Sequence, residues 1–83
     1  MSQNVLLRAR TMHAAMSAKM QIAYSSAWET AQAQIEASVP KGAKSYEVRH
    51  QVTHARGRYL AAMVDGKTPE KCAAAALAKD PEL

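Results

Sequence analysis

From Asn4 to Ser38 the chain contains neither proline nor glycine, and Met12, Met16, Met20, Tyr24, Trp28, Ala31, Ile35 and Val39 recur at steps of four or three. That spacing marks one face of a helix, because a strand would alternate with period two. At about 100° per residue Ala9, Ala23 and Ala27 join the stripe, while Arg8, Thr11, Ser25, Glu29, Gln32 and Glu36 fall opposite it. The pattern predicts one long helix over about 4–38. Val39-Pro40-Lys41-Gly42 ends it, since proline disfavours the α conformation in the residue before it and glycine accepts a turn.

A second helix is expected over about 45–65, where Val48, Val52, Ala55, Tyr59 and Ala62 step by four and three. Gly57 is its weak point, and Asp65-Gly66-Lys67 stops it. Thr68 is placed to cap a short third helix over about 69–79, with Pro69 at its first position and Glu70 in its first turn. With no phenylalanine and only Trp28, Tyr24, Tyr46 and Tyr59 as aromatic residues, the apolar content leans on alanine, which favours helix. The expectation is a single all-α domain over 1–83, a long helical hairpin with a short third helix.

The hairpin has a geometric consequence. At 1.5 Å per residue the first helix is roughly 50 Å long and the second roughly 30 Å, so neither covers the other. Leu6, Leu7, Met12 and Met16 then extend beyond the reach of the second helix, and with Met20 they form an apolar ridge that needs a cover. The third helix, a second copy or a foreign partner would supply it. A chain of 83 residues buries only about 60 to 70% of its unfolded surface, which makes such help plausible.

Charge is confined in the same way. Between Lys41 and Arg58 five cations, Lys41, Lys44, Arg49, Arg56 and Arg58, face one anion, Glu47, which gives +4, the net charge of the whole chain. One sign of charge gathered on one segment attracts polyanions over about a Debye length. With His50 and His54 these residues form the expected contact surface for an acidic protein surface or for nucleic acid phosphates.

Other constellations carry less. His50 and His54 at i and i+4, one turn after Glu47, have the spacing of a partial metal site. The intervening residues do not make the HExxH pattern, and a fourth ligand would have to come from His13, Cys72 or another chain, so no metal and no cofactor is expected. The glycine turn at 65–69 resembles the joint of a helix-turn-helix, but the third helix is mostly alanine and has little to contact base edges. Cys72 excludes an internal disulfide by being alone and fits a reducing compartment. There is no glycine-rich phosphate loop and no carboxylate pair, so we expect no enzyme. No basic N-terminal region leads into an apolar run and no segment approaches about 20 apolar residues, so the expected location is cytoplasmic, off the membrane. The residues therefore point to a small binding or regulatory protein of the inhibitor or adaptor type, using the basic surface and the methionine ridge together. The alternative is a nucleic-acid backbone binder without sequence readout, and a homo-oligomer is compatible with either.

Overall fold

The computed structural model describes residues 3–78. Four helices follow one another: α1 (Gln3–Ala15), α2 (Ala18–Ser38), α3 (Ser45–Val64) and α4 (Pro69–Leu77). The protein is all-α, with no strand among the described residues. α2 and α3 are the two arms of the expected hairpin, and α4 lies across both. The last position expected for the third helix, Lys79, lies outside the described residues.

The first helix is not continuous. It breaks at Met16 and Ser17 without proline or glycine, through side-chain capping. Ser17 adopts an extended conformation, and its hydroxyl accepts from the Met20 N–H at 3.2 Å, which starts α2. The Gln21 side chain donates back to the carbonyls of His13 at 3.0 Å and Met16 at 3.4 Å, joining the Met16 N–H on the His13 carbonyl where α1 ends. A stripe of period 3.6 runs through this elbow unbroken, so periodicity alone reads it as a single rod.

The break changes what the fold needs. Freed from α2, α1 packs against α3 and buries Ala9, with Val5, Leu6 and Met16 on the core. The uncovered end expected of a 4–38 helix does not exist, and with it goes the argument for a second copy or a partner there. The methionine ridge is divided accordingly. Leu6 and Met16 face the core and Met12 is half-buried, while Leu7 and Met20 remain exposed.

All four helices contribute to one core: Ala9, Tyr24, Ala31, Ala55, Tyr59, Leu60, Ala62, Met63, Cys72 and Ala76. Half of these are alanines, which let the backbones approach closely. Where large side chains enter, their polar ends are bonded. The Tyr59 hydroxyl donates to the Tyr24 carbonyl and the Tyr24 hydroxyl to the Lys67 carbonyl, each at 2.6 Å, tying α3 to α2 and α2 to the α3–α4 turn. That turn is a Schellman motif: Gly66 takes φ +82, its N–H reaches the Met63 carbonyl, and the Lys67 N–H reaches the Ala62 carbonyl. Thr68 caps α4 through the Lys71 N–H, with Pro69 first in the helix.

Between Ala31 and Ala55 no residue is buried. The C-terminal part of α2 and the N-terminal part of α3 thus leave the core as a two-helix arm, held by half-buried Ile35, Val39, Val48 and Val52. Its tip is the Pro40 to Ala43 turn, closed by the Ala43 N–H on the Pro40 carbonyl and requiring Gly42 at φ +88. The molecule is accordingly elongated, 40 × 27 × 19 Å.

Candidate functional site

The arm carries most of the expected contact surface. Lys41 sits in the tip turn and Lys44 precedes the first turn of α3, both exposed. Because Val48 and Val52 turn towards α2, the rest of the helix circumference at this level faces water. Arg49, His50 and His54 are exposed there and line one shallow depression with Tyr46, Glu47, Gln51 and Thr53. The two imidazoles lie with centroids 4.3 Å apart and planes inclined by 54°.

Arg56 and Arg58 belong elsewhere. The Arg56 guanidinium lies 4.9 Å from the centroid of Trp28 and 5.1 Å from that of Tyr59, themselves a tilted aromatic pair with centroids 5.4 Å apart. This is a cation resting against a pair of aromatic rings where α2 meets α3. Burial draws Arg56 below its ordinary pKa, the cost of desolvating it, but a guanidinium remains charged at neutral pH. Arg58 reaches in the other direction, its Nε donating to the Ala75 carbonyl at 3.2 Å and its Nη2 to the Ala76 carbonyl at 2.8 Å. It closes the C-terminal end of α4, where open carbonyls and the negative end of the helix dipole favour a cation. Of the seven residues expected on the contact surface, the structure brings five onto the arm and commits two to packing. Contiguity in sequence concealed this division, because i and i+2 on a helix point to different sides.

The residue that sequence reasoning left out is Tyr46. It is 64% exposed, the most exposed aromatic among the described residues, and begins the row Tyr46, His50, His54 at i, i+4 and i+8. The spacing was visible in the sequence. What was not visible was that Tyr46 lies beyond the end of the core and so stays largely exposed.

Cys72 is fully buried, and its thiol, 3.6 Å from the Lys67 carbonyl, is pushed up from its ordinary pKa by that burial. It is a protonated core filler at neutral pH. Tyr59 is pushed up to about 12, chiefly by burial. Among the described residues no three histidine, cysteine or acidic side chains are grouped to hold a metal ion, and no helix is long and apolar enough to cross a membrane. No family model, curated protein or solved structure matches this chain.

Proposed function

We propose that this protein is a non-enzymatic binding module of the inhibitor or adaptor type, acting in the cytoplasm, whose arm engages an acidic macromolecular partner. The observation that carries the reading is the location of charge: Lys41, Lys44 and Arg49 are exposed on the part of the molecule that lacks a buried core. An arm that adds little to the core is retained at a stability cost in a chain this small, and a contact surface at a distance from the core gives that cost a purpose. Arg56 and Arg58 support the surface from below by fixing α3 against α2 and α4, and are not part of it.

The test is an NMR titration at low salt with two polyanions, poly-L-glutamate and an oligothymidine of about 16 nucleotides. Amide shifts should cluster over 41–54 with at least one of them, and the triple charge reversal Lys41→Glu, Lys44→Glu, Arg49→Glu should abolish them. Shifts centred instead on Arg8, Arg10 and Lys19, or a triple variant that binds like the parent, would remove the arm from the proposal.

A further inference from the structure

Resting on the arm as the contact surface, we infer that its partner is single-stranded nucleic acid, with bases stacking on Tyr46 and the His50/His54 pair and phosphates meeting Lys41, Lys44 and Arg49. Three features of the face select this ligand over an acidic protein.

The first is what the face lacks. A protein interface has an apolar centre, and here the aliphatic residues Val48 and Val52 are turned into the arm. The apolar surface that remains is planar. The 64% exposed phenol of Tyr46 and two exposed imidazoles on successive turns offer π-faces, on which any base can stack.

The second is spacing. From Tyr46 to the middle of the His50/His54 pair the helix advances six residues, about 9 Å along its axis, well beyond the roughly 3.4 Å between neighbouring bases in a stacked strand. Only an unpaired strand can be stretched to that interval, because a duplex keeps its bases stacked inside. The 4.3 Å between the His50 and His54 centroids leaves no gap for a base between them, so the imidazoles serve as one platform and Tyr46 as another.

The third is the placement of charge beside the rings. Arg49 lines the same depression, and Lys44 and Lys41 continue the positive edge past Tyr46 towards the tip. Glu47 is the one anion of the stretch and also lines the depression, where it opposes a phosphate chain and limits affinity. With three phosphates neutralised, log affinity should fall against log salt with a slope of about −2, from about −0.7 per contact on a single strand.

The experiment measures fluorescence anisotropy of labelled oligothymidine of about 16 nucleotides, a duplex of equal length and poly-L-glutamate, between about 50 and 200 mM salt. The oligothymidine should bind at least about tenfold more tightly than the duplex. Tyr46→Ala should weaken it on the order of tenfold with an unchanged salt slope, the loss expected for one stacked base, and leave poly-L-glutamate unaffected. Arg49→Ala should flatten the slope, and Glu47→Gln should tighten binding. Circular dichroism checks that each variant keeps its helices, which the exposure of these side chains favours. Equal binding of duplex and single strand, or a Tyr46→Ala variant as good as the parent, overturns the stacking inference while the arm stands as a polyanion site. Binding of poly-L-glutamate alone overturns it in favour of an acidic protein, and if no polyanion binds the inference and the arm reading fall together.

Discussion

Arg58→Met separates structural from partner-facing charge, because methionine keeps the apolar stem and removes the donors. In the native fold the guanidinium donates to the Ala75 and Ala76 carbonyls at the last turn of α4. A hydrogen bond from a charged group contributes about 1.5 to 3 kcal/mol when a partner is left desolvated. Arg58 is half-buried, so solvent recovers part of this, and a loss of about 2 kcal/mol is the working figure. In a domain of this size each kcal/mol moves the melting midpoint by about 4 to 8 °C, which puts the variant about 10 °C below the parent. A urea slope of about 1 kcal/mol/M moves the chemical midpoint down by about 2 M. The control is Arg49→Met, an exposed cation of the arm, which should stay within about 0.5 kcal/mol. Urea melts of the three proteins, followed by helical circular dichroism at neutral pH, decide the matter. If Arg58→Met and Arg49→Met share one midpoint, Arg58 does not hold α4 and belongs back among the contact residues.

Three further outcomes follow from the core and the elbow. Tyr59 holds its proton up to about 12 in the fold, against about 10 when unfolded. Its contribution is therefore present below pH 10 and is lost between pH 10 and 12, at up to about 1.4 kcal/mol per pH unit. Urea midpoints should drop over that window in the parent and less steeply in Tyr59→Phe, and equal slopes would count against the burial of this phenol. Cys72, buried and with its thiol pKa raised, should react with a thiol reagent at pH 8 only through opening of the fold, so its rate should climb with sub-denaturing urea. Labelling in native buffer as fast as in a free thiol would contradict its place in the core. At the elbow, Ser17→Ala and Gln21→Ala should each destabilise by about 1 kcal/mol, and less than additively together because both hold the same bend. A stabilising Ser17→Ala would mean that the straight helix is accessible and preferred.

Much of the architecture was legible locally. Thr68 with Pro69, the Asp65-Gly66 stop and the Pro40-Gly42 turn each act within a few residues, by restricting φ or by supplying one hydrogen bond, and each appears where its residues place it. The elbow at Ser17 uses the same local chemistry but is hidden by a stripe that suits one long helix as well as two short ones. The candidate site was half legible. Lys41, Lys44, Arg49, His50 and His54 stand in the open as their polarity suggests, whereas the helical wheel sets Arg56 beside the packing seam but groups Arg58 with His50 and His54 on the outer face, and nothing in the chain marks Arg58 as a partner of α4.

What the sequence by itself determined is helical structure on either side of the Pro40 turn, the short α4 with its Thr68 cap, and the confinement of charge to one segment, since these follow from backbone preferences and composition. Only the tertiary structure decided which cations are available. Arg56 meets Trp28 from α2, and Arg58 meets carbonyls 17 and 18 residues further on, contacts that exist only after the helices have packed. The same packing turns α1 back onto α3 and leaves Tyr46 past the edge of the core. Whether a side chain is a strut or a contact depends on what lies opposite it in space, and that is a property of the assembled fold.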